Sequence, residues 1–108
     1  MSTRPGQPVR GSNTGRPIMV LLDVLGKRWT LRLLWELNQD GAGTFRDLRA
    51  RCGDISPTSL NSRLKELREL GLIDLTDSGF ELTEQGHSLS ALLNPLDKWA
   101  NKWADTLD

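Results

Sequence analysis

The residues of this 108-residue chain best suited to chemistry lie between positions 44 and 65. Ser56, Thr58, Ser59, Asn61 and Ser62 crowd short hydroxyl and amide groups into one stretch, and Arg63 and Lys65 follow with charge. Arg46, Arg49 and Arg51 stand just ahead of them. Short polar side chains let a backbone come close to a phosphate or a base edge, while cationic ones neutralise it. These are the means of recognising a polyanion. The means of catalysis are missing: there is one histidine, one cysteine, no Gly-rich phosphate loop and no paired carboxylates on a predicted cleft. No enzyme activity, metal or cofactor is therefore expected. His87 has no Cys or second His at ligand spacing and reads as a surface residue. Cys52 cannot form an internal disulfide and fits a reducing compartment; beside an apolar turn it reads as a small core filler rather than a thiol switch.

The elements that must position these groups follow from periodicity and capping signals. Pro17 suits a first helical turn, and Ile18, Leu21, Leu22 and Leu25 repeat at helical spacing before Gly26. Met19, Val20 and Val24 make the same helix apolar on a second side, so more than one neighbour must cover it. A second helix is predicted from residue 27 or 29 to 38. Thr44 and Asp47 have the spacing of a capping box for a short helix over residues 45–51. Gly53 and Asp54 turn the chain, Ile55 plugs the turn, and Ser56 followed by Pro57 is a strong helix start. The helix over residues 56–70 carries Leu60, Leu64 and Leu67 on one stripe and ends at Gly71. Its opposite side presents Thr58, Ser62, Lys65 and Glu69, flanked by Ser59, Glu66 and Arg63. Residues 72–76 and 80–82 read as a hairpin about the turn Asp77-Ser78-Gly79. Thr83 caps one last long helix, kinked by Pro95, with Leu89, Leu92, Leu93, Leu96, Trp99 and Trp103 along one side.

A short helix, a tight turn, a longer helix and then a hairpin is the order of a winged helix-turn-helix, a mainly α fold with a small β wing. The leucine stripe must face the preceding helix, which leaves the polar side of residues 56–70 free to enter a major groove. Arg46 on the preceding helix is placed to hold the flanking backbone, as are Arg49 and Arg51. Arg63 is read as a groove contact rather than an idle helix charge. Glu66 and Glu69 would oppose phosphates and are expected to be solvated or paired with Arg63 or Lys65. Lys27 and Arg28 fit either electrostatic capping of the preceding turn or contact with DNA.

Several motifs resemble those of the HxlR-type regulators, a branch of the winged-helix proteins near MarR. Gly26-Lys27-Arg28-Trp29-Thr30-Leu31 is similar to their "GGKWTLLIL", and Thr44-Phe45-Arg46-Asp47-Leu48 to their "RFSELR". Residues 55–67, ISPTSLNSRLKEL, resemble "ISPKMLTQRLRELE", residues 82–89 resemble "LTELGRSL", and Trp99 with Trp103 resembles the family's C-terminal pair. The resemblance covers residues 17–104. It implies a homodimer, joined through the first and last helices, that binds palindromic operator DNA and regulates nearby genes. Met19, Val20, Val24, Leu92, Leu96, Trp99 and Trp103 are then the expected interface. Two positions depart from the family. Where many members carry a cysteine ahead of the first helix this chain has Arg16, which argues against thiol sensing there. The wing is short with the acidic Asp77 at its tip, so it should add little to affinity.

Composition bounds the reading. The length allows one core, assigned to residues 17–108, behind a leader over residues 1–16 expected to be a flexible, Arg-containing tail. Net charge is zero with 14 basic and 14 acidic side chains, but residues 1–16 carry +3, 17–70 carry +2 and 71–108 carry −5. The local field, positive in front and negative behind, is what a phosphate backbone meets. The longest apolar run, residues 18–22, is too short to span a bilayer, so a cytoplasmic protein without membrane contact is expected. A winged-helix module that binds a protein rather than DNA is the alternative that zero net charge and an acidic wing would suit.

Overall fold

Among the described residues, six helices and a hairpin build the domain: α1 (Pro17–Leu25), α2 (Thr30–Asp40), α3 (Phe45–Arg51), α4 (Pro57–Glu69), β1 (Ile73–Thr76), β2 (Gly79–Leu82), α5 (Glu84–Ala91) and α6 (Leu93–Asp105). A computed structural model describes residues 4–9, 13 and 15–107. The order is the one the periodicity predicts, with two differences. First, α2 begins at Thr30, because Trp29 adopts a left-handed backbone (φ 78°) that ends the turn after α1. Second, the long terminal helix is two helices broken at Leu92. Pro95 has no N–H for the Ala91 carbonyl four residues earlier, and its ring would clash with that carbonyl, so the break falls just past Ala91.

The core lies where α2, α3, α4 and the hairpin meet. Leu33, Leu34 and Leu37 of α2, Leu48 of α3, and Leu60, Leu64 and Leu67 of α4 are buried together with Cys52, Ile55, Ile73 and Leu82. Trp29, Phe45, Phe80 and Leu89 pack partly buried at its edge. Burial of Cys52 pushes its thiol pKa up, against a reactive thiolate.

The hairpin is antiparallel, with Ile73 opposite Leu82 and Thr76 opposite Gly79 across Asp77 and Ser78. Gly43, in the α2–α3 linker, adds a bridge to it: its N–H donates to the Phe80 carbonyl at 3.0 Å and its carbonyl accepts from Phe80 N–H at 2.8 Å. That close approach requires glycine at 79, where a Cβ would lie 2.6 Å from the Gly43 oxygen and φ is 107°. Gly86 is as constrained, since a Cβ there would stand 2.0 Å from the Leu72 carbonyl oxygen. The hydroxyl of Thr83 caps α5 by accepting from Gly86 N–H at 3.1 Å and donates to the Gly71 carbonyl at 2.6 Å.

The leader touches the domain in its described part. Gly6 N–H donates to the Gly15 carbonyl at 2.9 Å, and Arg4 donates to the Glu69 carbonyl in the last turn of α4, where carbonyls lack an intrahelical donor. The rest of the expected tail, including Arg10, lies outside the described residues.

Candidate nucleic-acid interface

The helix-turn-helix is set by its turn. Gly53 and Asp54 are both left-handed (φ 66° and 64°), a conformation glycine adopts freely and aspartate tolerates. Asp54 N–H donates to the Arg49 carbonyl at 3.0 Å, and the Arg49 side chain returns a bond from Nε to the Ile55 carbonyl at 3.0 Å. Arg51 likewise donates to the Gly41 and Ala42 carbonyls at 2.7 and 3.1 Å. Both arginines, read from sequence as backbone-holding contacts, hold this chain's own backbone instead. Arg46 differs: it is exposed, and no hydrogen bond or salt bridge engages it among the described residues.

The entry to α3 is the predicted capping box. Asp47 N–H donates to Thr44 Oγ1 at 3.1 Å, and Thr44 N–H donates to Asp47 Oδ2 at 2.9 Å. The Thr44 backbone bond, then its hydroxyl, hold the Asp47 carboxyl below the usual carboxylate range. At the start of α4 the Ser56 hydroxyl accepts from Ser59 N–H at 3.1 Å and donates to Ser59 Oγ at 2.9 Å. These two serines are thus engaged with each other, with Ser56 exposed and Ser59 half-buried.

Beyond the cap, α4 turns Leu60, Leu64 and Leu67 inward and leaves Thr58, Asn61, Ser62 and Lys65 exposed. Arg68 continues that exposed stripe one turn on, three residues past Lys65. The sequence reading put Glu69 in its place; following the stripe from Asn61 and Lys65 by steps of three and four would have found it. Asn61, Lys65 and Arg68 line one side of an open cleft of about 510 Å³, with Asp74 and Phe80 of the hairpin across from them. Arg63 is half-buried, and its Nε is buried with no hydrogen-bond partner among the described residues.

Glu66 corrects an expectation. It is neither solvated nor paired with Arg63 or Lys65 but buried, with Oε2 accepting from Lys27 Nζ at 2.6 Å. That bond also assigns Lys27, while the Arg28 guanidinium lies 5.4 Å from the centre of the Trp29 ring. The acid projects from the edge of the leucine stripe, and the α1–α2 turn supplies a cation there that helical projection of α4 alone could not reveal. The hairpin carries Asp74, Asp77 and Glu81 and no cation, with Asp77 and Ser78 at its tip.

A second face is apolar and uncovered. Leu92, Leu96, Trp99 and Trp103 are 68, 56, 61 and 50% exposed, and Leu107 extends the row. The two indoles stack with centroids 5.9 Å apart and planes 13° from parallel. On α1 the expected interface needs correcting. Val20 and Val24 are only 2 and 1% exposed and are buried within the single chain, and Met19 is half-buried. The apolar positions α1 leaves open are Ile18 and Leu22, because its inward side is the one that packs on the domain. His87 is exposed, as expected.

A tri-helical core with a helix-turn-helix and a two-stranded wing defines a winged helix-turn-helix, a DNA-binding class. Residues 24–108 match the HxlR-like helix-turn-helix family, and the chain belongs to that family. It is similar to the HTH-type transcriptional regulator YvaP of Bacillus subtilis, 31% identical over 91 residues that cover 78% of this chain and 83% of YvaP. MT3179 of Mycobacterium tuberculosis, also an HTH-type transcriptional regulator, is 35% identical over 100 residues, covering 86% of this chain and 60% of its own length. The crystal structure of quinone-bound YodB from B. subtilis superposes with a TM-score of 0.72 at 28% identity, covering 80% of this chain and 97% of that one. A DNA-binding transcriptional regulator is thus the class to which fold and relatives point. Among the described residues no helix is long and apolar enough to cross a membrane.

Proposed function

We propose that this chain is a cytoplasmic homodimer that regulates transcription by binding a palindromic operator, with α4 in the major groove of each half-site. The observation that carries the reading is the state of α4: leucine-backed on one side, and on the other an uncovered row of Thr58, Asn61, Ser62 and Lys65. Thr58, Asn61 and Ser62 are the direct contacts to base edges or phosphates, with Lys65 and Arg63 adding charge. Ser56 and Ser59 bring the capped N-terminus, with its partial positive charge, against a phosphate. Arg46 holds the backbone beside it.

The dimer is assigned to Leu92, Leu96, Trp99 and Trp103 of the last helix with Ile18, Leu22 and the edge of Met19 on the first. An exposed apolar row of this length is unusual on a monomer, and a two-fold axis covers it with its own copy. Two copies of α4 then face two half-sites, which makes the target palindromic. No catalytic role, cofactor or membrane contact is proposed. Nor is thiol sensing ahead of α1, where Arg16 stands.

The test is selection of bound fragments from random duplex DNA, followed by titration of the winning site at rising salt. A palindromic consensus whose affinity falls steeply with salt is the expected result. Zero net charge and the acidic wing favour a second reading, a protein-binding module. That reading gains if no sequence is enriched and any DNA binding lacks a steep salt dependence.

A further inference from the structure

Helix α4 carries one ionisable side chain that is buried as a whole. Glu66 is 6% exposed; Oε2 accepts from Lys27 Nζ, and Oε1 has no hydrogen-bond partner among the described residues. A buried carboxylate with a cation bonded to one oxygen resists separation from that cation, because parting would strand a buried charge. Lys27 belongs to the turn over residues 26–29 that joins α1 to α2. The same turn holds Trp29 at φ 78°, a backbone that bulky side chains disfavour and that persists where its surroundings enforce it. The Arg28 guanidinium lies over the Trp29 ring at the same turn. The ion pair and the strained residue independently fix one turn, and the ion pair ties that turn to α4.

We infer that Lys27 and Glu66 form the joint that sets the pitch of α4 against α1, so that Lys27 is a positioning residue for DNA recognition without touching DNA. The inference rests on the proposed reading of α4 as the helix that enters the groove. It links the exposed side of α1, with Ile18 and Leu22, to the recognition row by one short path. Base contacts depend on placement more tightly than phosphate contacts do, so loosening the joint should lower specific affinity first.

The test is the charge-neutral double variant Lys27→Met/Glu66→Leu, since replacing an ion pair whose acid is buried and whose lysine is part-buried by apolar side chains is often neutral for stability. With melting and sedimentation unchanged, operator affinity should fall about tenfold or more, the size of a base contact, while affinity for unrelated DNA stays the same. Undiminished discrimination by the double variant would overturn the joint. So would an equal loss on both DNAs with the salt slope reduced by about one, which marks Lys27 as a phosphate contact. If the double variant does not fold, Glu66→Gln decides by sign. Removing a negative charge from α4 strengthens binding on electrostatics alone, whereas a lost joint weakens it. A parent protein that binds no duplex at all would sink the reading of α4 itself, separately from the joint.

Discussion

On α4, Leu60, Leu64 and Leu67 are buried to 2% exposure or less, whereas on α6 Trp99 and Trp103 leave half or more of their surface to solvent. Both rows have helical spacing and both sit on a 13-residue helix. The difference teaches that periodicity defines an apolar face without saying whose body covers it. The α4 row meets α2, α3 and the hairpin in its own chain, and its polar side is left outside as the proposed working surface. Among the described residues the α6 row is left largely uncovered, with Leu96 bordering a groove that Leu31 and Trp35 of α2 also line, so its proposed working surface is the apolar side.

That contrast is broken most directly at the indoles. Replacing Trp99 and Trp103 together by Ser should turn the protein into monomers in sedimentation. Operator affinity should then fall by about 10²–10⁴-fold, because two linked half-site contacts become two separate ones. A dimer that survives the change would move the interface elsewhere. Next in size is a matched pair of truncations. Leu64→Ala removes buried methyl groups and should cost about 2–5 kcal/mol of unfolding free energy. Leu96→Ala should leave the unfolding of a dilute, monomeric sample nearly unchanged and act only on the concentration dependence of melting. Equal losses for both under dilute conditions would erase the distinction between the two helices. Within the α4 face, Arg63→Ala should weaken operator binding by about 1–3 kcal/mol with the fold intact. Calorimetric titration showing parental affinity would remove Arg63 from the contact set and leave its half-buried Nε a packing feature.

Most of the helix-turn-helix was legible in sequence because its signals are local. Thr44 with Asp47 and Ser56 with Pro57 mark where helices begin, and each makes its cap within three residues. The Leu60, Leu64 and Leu67 stripe needed no knowledge of partners. What failed to show was set by contacts far apart in the chain. Glu66 looked like a surface acid until Lys27, 39 residues away, was placed beside it. Val20 and Val24 looked like interface residues because a helix apolar on two sides does not announce which side its own domain takes. Arg49 and Arg51 had the composition of phosphate contacts and the geometry of loop braces, and only the positions of the Gly41, Ala42 and Ile55 carbonyls separate the two. Two local signals were misjudged: Pro95 was expected to bend a helix that it divides at Leu92, and Glu69 was placed on the α4 stripe where Arg68 stands.

A smaller effect sharpens the legible side of the comparison. Thr44→Ala deletes the cap of α3 and should cost about 1 kcal/mol of stability. The reciprocal partner gives this site a pH signature. The Asp47 carboxyl is held low in the folded chain by the Thr44 N–H, so its contribution is present above the unfolded carboxylate pKa and is lost as pH falls through the folded one. Urea melts at neutral pH and under acid should therefore converge for parent and Asp47→Ala, with the gap closing on the acid side. A gap that stays constant with pH would mean that the Thr44 hydroxyl, not the ionised carboxylate, carries the stabilisation.

The smallest expected effect is at Cys52. It lies at the end of α3, inside the core that the α4 stripe closes, with its thiol desolvated and its pKa raised. Oxidants act on accessible thiolates, and this group is neither accessible nor disposed to ionise. Mild peroxide should therefore leave operator binding within error of the untreated protein, and Cys52→Ala should behave the same under oxidant. Labelling with a small thiol reagent provides the second readout: modification should be slow in the folded protein and fast in denaturant. Rapid labelling of the native dimer, with loss of DNA binding, would show that the packed side of the helix-turn-helix opens in solution. The two helices would then differ in degree of exposure rather than in kind.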